Sequence, residues 1–113
     1  MHEIRNSKAT LTSSDCGLAL HVELEVKLPT PGYEVHLEEK IPADFNPKIL
    51  ALHLGIVEPK PGQIVPQVET WFEAELNKDY KRTEHPKFTP SKVDVRDPGT
   101  SDSYVIIEVE ESV

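Results

Sequence analysis

A chain of 113 residues is long enough to bury one hydrophobic core, so we expect a single domain spanning residues 1–113. Ten prolines against five glycines, with only 6% aromatic residues, favour short strands joined by stiff turns over a helical bundle. The net charge of −8 excludes nucleic acid and anionic membranes as expected partners, because both are bound through clustered Lys and Arg.

The cysteine content and the hydropathy pattern bear on the compartment. Cys16 is the single cysteine, so the chain has no internal disulfide, which favours a reducing compartment such as the cytoplasm. No apolar run has the length of a signal peptide or of a membrane span. We therefore expect no membrane insertion.

The first half of the chain contains segments with the two-residue period of half-buried strands. Residues 9–12 predict a short edge strand, residues 18–28 a long strand, and residues 33–37 a third. A simple hairpin at the Pro-Thr-Pro-Gly turn would place Leu28 opposite Tyr33 and stack apolar on apolar residues. Alternatively, the same turn carries the chain from one sheet to another.

The second half predicts four more strands. Residues 49–57 form a nearly continuous apolar run whose flanking prolines favour a central strand, although its Ala and Leu content leaves a helix open. Residues 65–76 alternate again, residues 77–90 predict a polar loop with the one basic patch, and residues 92–96 and 104–110 complete the set. About seven strands with short turns predict an all-β fold, an antiparallel immunoglobulin-like β-sandwich.

Residues for catalysis or cofactor binding do not form any recognised motif. The five histidines have no metal-ligand spacing, and neither a Gly-x-Ser-x-Gly segment nor a phosphate-binding glycine loop occurs. Carboxylates fall on alternate outward positions, where water screens them. We therefore expect no enzymatic activity, no catalytic residue, no cofactor and no metal ion.

Residues 28–33, Leu-Pro-Thr-Pro-Gly-Tyr, carry a resemblance to known families. Following a long alternating strand, they resemble the loop of chagasin-like cysteine-protease inhibitors, in which Asn-Pro-Thr-Thr-Gly precedes an aromatic residue. The segment is equally similar to small domains related to the C-terminal part of a protease-stabilising lipoprotein. Both resemblances imply a β-sandwich, and the first implies a loop that enters a protease cleft. The inhibitors' glycine-rich loop and Arg-Pro-Trp loop have no counterpart here.

These observations predict a non-enzymatic module that binds another protein, with a protease or protease-associated protein as the candidate partner. The predicted contact residues of the first loop are Pro29, Thr30, Pro31, Gly32 and Tyr33. Trp71 or residues 81–88 are candidates for a second contact. The alternative for that loop is a turn that only fixes a strand junction, with Tyr33 in the core. A second hypothesis is a module that binds a small molecule or a metal through His21, His36 and nearby glutamates on an exposed sheet face. A third is a structural homodimer that pairs edge strands, with residues 9–12 or 104–110 as the candidates.

Overall fold

The computed structural model describes residues 2–14, 17–39, 48–62, 64, 66–81 and 90–112. Every regular element in these ranges is a β-strand. The described residues therefore contain no long apolar helix that could cross a membrane. The seven strands are β1 Ile4–Ser14, β2 Gly17–Leu28, β3 Glu34–Glu39, β4 Ile49–Val57, β5 Thr70–Lys81, β6 Lys92–Arg96 and β7 Ser103–Ser112.

The strands form one mixed sheet that curls into a nearly closed barrel. Their order is β3-β4-β6-β7-β1-β2-β5. Four neighbouring pairs are antiparallel, and the pairs β1–β7 and β4–β6 are parallel. The two strands at the ends of this order, β3 and β5, lie beside each other and bring the sheet back on itself. We call their line of contact the seam.

Alternate positions of the strands fill the barrel interior. β2 supplies an uninterrupted inward row, while its intervening polar residues face outward. β4 and β6 contribute Leu52, Leu54, Val93 and Val95 to the same buried cluster. The inward row of β2 is Leu20, Val22, Leu24, Val26 and Leu28. These residues were all predicted as apolar positions of strands, and their burial holds the barrel wall in place.

The all-β class and the count of seven strands are confirmed, with β4 a strand and not a helix. The antiparallel immunoglobulin-like sandwich is not confirmed, because the sheet is mixed and continuous. The prediction of a polar loop over residues 77–90 is wrong at its start, since β5 continues to Lys81 by pairing with β2 as far as Gly17. Backbone pairing along a twelve-residue neighbour outweighs the low strand propensity of this polar segment.

The simple hairpin at residues 28–33 is wrong. β2 pairs with β1 and β5, whereas β3 pairs with β4, so the turn crosses the barrel end between strands that are not hydrogen-bonded neighbours. The prediction that residues 9–12 form an edge strand is also wrong, because β1 lies between β7 and β2. β7 pairs with β6 over residues 103–108 and with β1 over residues 109–112, and residues 9–12 are paired on both sides. The homodimer hypothesis stays a prediction.

One end of the barrel, here called the proline end, gathers several connections. The pairs Leu28–Thr70, Glu34–Val57 and Arg96–Ser103 place three connections there, with residues 29–33, residues 97–102 and the described residues between β4 and β5, which are 58–62, 64 and 66–69. The start of β1 joins them through its pairing with Val26. Six of the ten prolines lie in these loops: Pro29, Pro31, Pro59, Pro61, Pro66 and Pro98. The described part of this end therefore has a stiff backbone.

Candidate functional site

The 29–33 loop is partly structural and partly exposed. Thr30 is buried at 8% exposure, Pro31 and Tyr33 are half-buried, and Pro29 and Gly32 are exposed. Gly32 has a φ of +96°, a left-handed conformation that favours glycine. The Tyr33 ring meets the ring of Phe72 edge-on, with centroids 6.4 Å apart and planes at 63°. Tyr33 therefore packs across the seam and keeps one side available at the barrel end.

That side of Tyr33 lines a hollow at the mouth of the barrel, here called the tyrosine hollow, with a volume of about 300 Å³. Leu54 and Ile56 of β4 contribute the apolar lining, and the second aromatic ring is that of Tyr104. The polar side is formed by the carboxylates of Glu58 and Asp97, which come from two other loops, and by His2, which precedes β1. The hollow thus combines apolar surface, two phenol rings, an imidazole and two carboxylates within one concave site.

A hydrogen-bonded turn fixes the Asp97 carboxylate at this hollow. Its Oδ1 accepts hydrogen bonds from the backbone N–H groups of Gly99 at 2.8 Å and Thr100 at 3.2 Å. The Tyr104 hydroxyl donates to Oδ2 at 3.3 Å. The two backbone donors are the main cause that lowers the pKa of Asp97, so it carries a negative charge at neutral pH. Burial, followed by the charge of Asp97, raises the pKa of Tyr104, which keeps the phenol protonated.

A second depression, here called the proline groove, adjoins the tyrosine hollow. It is an open groove of about 600 Å³ that contains Gly32, Val57, Pro59 and Pro61 in its lining. Glu58 lines both depressions, so they form one continuous surface. Two exposed aliphatic side chains follow between β4 and β5, Ile64 at 98% and Val68 at 61% exposure. Three of the four large hydrophobic residues that are exposed in the described part of the chain thus lie at or next to this end, Val57, Ile64 and Val68, and the fourth is Ile106 of β7.

Trp71 lies on the outer wall and lines neither depression. The Arg5 guanidinium stacks over its ring with Cζ 3.9 Å from the centroid, and Lys27 Nζ lies 6.0 Å away. This cation–π stack accounts for Trp71 as a half-buried member of the wall. Lys81, where the other proposed second contact begins, pairs with Gly17 at the opposite end of the barrel, and residues 82–88 lie outside the described residues.

A histidine and two glutamates meet on the outer wall, in the middle of β2 and β5. His21 Nε2 is 3.5 Å from Glu23 Oε2 and 3.7 Å from Glu75 Oε2. His21 Nδ1 and Asn77 Oδ1 are hydrogen-bonded at 2.7 Å. That hydrogen bond is the largest cause of a raised pKa for His21, with further contributions from Glu23 and Glu75 and opposition from burial. The three side chains form a potential metal-ligand set.

The proposed pairing of His21 with His36 on one sheet face is not formed. β3 is not a neighbour of β2, and His36 lies beside Glu38 at 3.3 Å, with its ring over Gly55 of β4. Glu75 was recognised from the sequence only as an outward-facing residue. Its position opposite Glu23 depends on the pairing of β2 with β5, which no short-range pattern indicated.

Comparison with protein-family models, with curated proteins and with solved structures gave no match. The resemblance of residues 28–33 to protease inhibitors therefore stays a prediction, and the function has to be argued from the geometry of the sites.

Proposed function

We propose that this protein is a non-enzymatic binding module that holds a basic, extended segment of a partner protein at its proline end. The tyrosine hollow carries the proposal. A lysine or arginine side chain has an aliphatic stem that packs on Tyr33 and Tyr104, and a cationic head that pairs with Glu58 and Asp97. The mouth of a barrel is a common location for such a site.

The proline groove gives the rest of the partner segment a place to lie. Prolines fix the backbone of its wall, so little conformational entropy is lost when a segment docks. Val57, at 47% exposure, offers an apolar contact next to Glu58. The net charge of −8 attracts a basic segment over a longer range and increases its association rate.

The resemblance of residues 28–33 to chagasin-like inhibitors makes a protease one candidate for the partner. Pro29 and Gly32 are exposed and accessible to it, whereas Thr30 is buried and supports the loop. An immunoglobulin-like domain would also use end loops in this way. The basic-segment proposal does not require the partner to be a protease.

The test is a titration of ¹⁵N-labelled protein with the peptide Ac-Ala-Pro-Val-Lys-Val-Pro-Ala-amide at low ionic strength. We expect chemical-shift changes at Tyr33, Glu58 and Tyr104 that weaken as salt is added. The same peptide with glutamine in place of lysine should bind at least about tenfold more weakly, because an aromatic and carboxylate site favours the cation.

A pair of charge-matched variants separates the hollow from general acidity. Glu58→Gln with Asp97→Asn removes two negative charges from the hollow, and the new asparagine side chain keeps an oxygen for the turn. Glu108→Gln with Glu110→Gln removes two charges from exposed positions of β7. We expect loss of lysine-peptide binding only in the first protein. Equal losses in both, or no shifts at the hollow, would refute the proposal.

A further inference from the structure

A metal-binding site lies on the outer wall, on residues that the proposed function does not use. We propose that His21, Glu23 and Glu75 bind one divalent transition-metal ion of the zinc class. One ligand atom from each residue lies within 4.8 Å of the others, and the three side chains are half-buried or exposed at the wall surface. Imidazole nitrogen and carboxylate oxygen are ligands that zinc takes in proteins.

The two separations that involve the His21 nitrogen are close to those around a tetrahedral ion. Metal–ligand distances of about 2.0–2.2 Å place neighbouring ligand atoms about 3.3–3.6 Å apart in such a site. The His21 nitrogen lies 3.5 Å from Glu23 and 3.7 Å from Glu75. The two carboxylate oxygens lie within 4.8 Å of each other, so rotation of the glutamate side chains would bring them to the ion, and solvent or a small ligand would complete the coordination.

The sheet holds the three residues in this arrangement. Glu23 and Glu75 are direct cross-strand partners, and His21 is two residues away on the same face of β2. β2 is paired along its length with β1 on one side and β5 on the other. Ladders on both sides of β2 thus set the backbone positions of His21 and Glu23, and the ladder between β2 and β5 sets that of Glu75.

Asn77 orients the imidazole for metal binding. Its Oδ1 only accepts hydrogen bonds, so the His21 Nδ1 that meets it at 2.7 Å carries the hydrogen. In the neutral ring the lone pair is then on Nε2, the atom that faces both carboxylates. Histidine ligands of metals are commonly held in this way by an acceptor at the other ring nitrogen.

Carboxylates face each other across β2 and β5 at this site. Glu23 lies opposite Glu75, and in the next row Glu25 lies opposite Glu73. Glu25 has its own cation and donor, Arg5 at 3.2 Å and Asn6 at 2.5 Å.

Among the contacts of the described residues, His21 is the only basic side chain that pairs with Glu23 or Glu75. Lys8 lies opposite Glu23 in the register of β1 with β2, but no ion pair between these two residues is among those contacts.

Isothermal titration of the full chain with zinc chloride at neutral pH tests the site. We expect one ion per chain, affinity that falls as the pH is lowered, and a shift of the His21 ring resonances on binding. His21→Gln and Glu75→Gln should each weaken binding at least about tenfold, since even outer partners of metal ligands are worth about 10–100-fold. Magnesium chloride should produce no comparable shift, because Mg²⁺ prefers oxygen ligands.

Two control variants make the result specific. Glu73→Gln removes the same charge from the same face of β5, two residues from Glu75, and His36→Gln removes another exposed histidine beside a glutamate. Both should bind zinc as the unmodified protein does.

The inference is overturned by any of three results. These are the absence of zinc binding, unchanged affinity in folded His21→Gln protein, or an equal loss in Glu73→Gln, which would indicate a diffuse acidic surface.

Discussion

Replacing Tyr33 and Phe72 with leucine, singly and together, measures how the barrel is closed. Among the described residues no backbone ladder joins β3 to β5. The seam is instead crossed by the edge-on contact of these two rings near the proline end and by the ion pair of Lys78 with Glu39 further along β5. Side chains therefore hold the seam, whereas hydrogen-bonded ladders hold every other strand neighbour.

The expected coupling free energy between the two rings is about 0.5–1 kcal/mol. An edge-to-face aromatic pair is worth about 0.5–1.5 kcal/mol beyond the area it buries, and both rings here are only half-buried. Leucine keeps apolar volume at each position, so the double-mutant cycle isolates the ring–ring contribution. The ion pair, with side-chain exposures of 33% and 42%, adds about 0–1 kcal/mol.

Urea unfolding of the four proteins gives the coupling free energy. A matched cycle uses Phe72 with Tyr80, which is eight residues further along β5 and so about 26 Å away, and it should be additive. Additivity of the Tyr33–Phe72 cycle to within about 0.3 kcal/mol would refute the contact. Amide exchange should also be faster in β3 than in β2, and equal protection would show that the seam is sealed by something else.

Three further predictions test the core, the wall and the histidine. Leu24→Ala should lower the free energy of unfolding by about 3 kcal/mol, because Leu24 is 1% exposed, and Val57→Ala in the same assay by less than about 1 kcal/mol. Arg5→Ala should cost about 0.5–1 kcal/mol and shift the emission of Trp71, the sole tryptophan, to the red; an unchanged spectrum would contradict the stack. The pKa of His21 is raised in the folded protein, so its contribution to the free energy of unfolding is full below the unfolded pKa of about 6.5 and is lost as the pH rises through the folded pKa. The difference in free energy of unfolding between the metal-free protein and His21→Gln should therefore shrink with rising pH; a constant difference would contradict this.

The strands were predictable because the alternation of side chains is a local property. The inward row of β2 and the bounds of β4 and β6 follow from residues that are neighbours in the chain. The polar ends of β1 and β5 were missed for the same reason. Residues 4–8 and 77–81 are extended because β2 supplies a paired backbone, which composition does not reveal.

The pairing of the strands was not predictable from alternation. A hairpin of β2 with β3 would also have stacked apolar on apolar residues, so that pattern fits the wrong partner as well as the right one. The parallel pairs join strands that are far apart in sequence, with Ala9 beside Val109 and Ile49 beside Lys92. Such contacts depend on the whole arrangement of the barrel and leave no short-range signal.

The candidate sites likewise contain residues that a local sequence pattern identifies and residues that only the strand topology brings to them. Tyr33 was identified because an aromatic residue follows a proline turn, but its companions Tyr104, Glu58 and Asp97 come from other loops that only the topology brings to one end. The Asp-Pro-Gly sequence at residues 97–99 is typical of a turn, but it does not indicate what the Asp97 carboxylate faces. Each site thus combines one residue with a local signal and several without one.

The Glu23–Glu75 pair is explained by a binding site and not by the stability of the fold. The barrel is held by inward residues such as Val22 and Leu76, whereas like charges placed directly opposite each other on the outer face reduce stability. Glutamine at position 75 would relieve that repulsion wherever His21 is neutral, so packing gives no reason for a glutamate there. A cation held between His21 and the two carboxylates does give one, and it predicts that Glu75→Gln becomes more stable than the unmodified protein without zinc and loses that advantage when zinc is added.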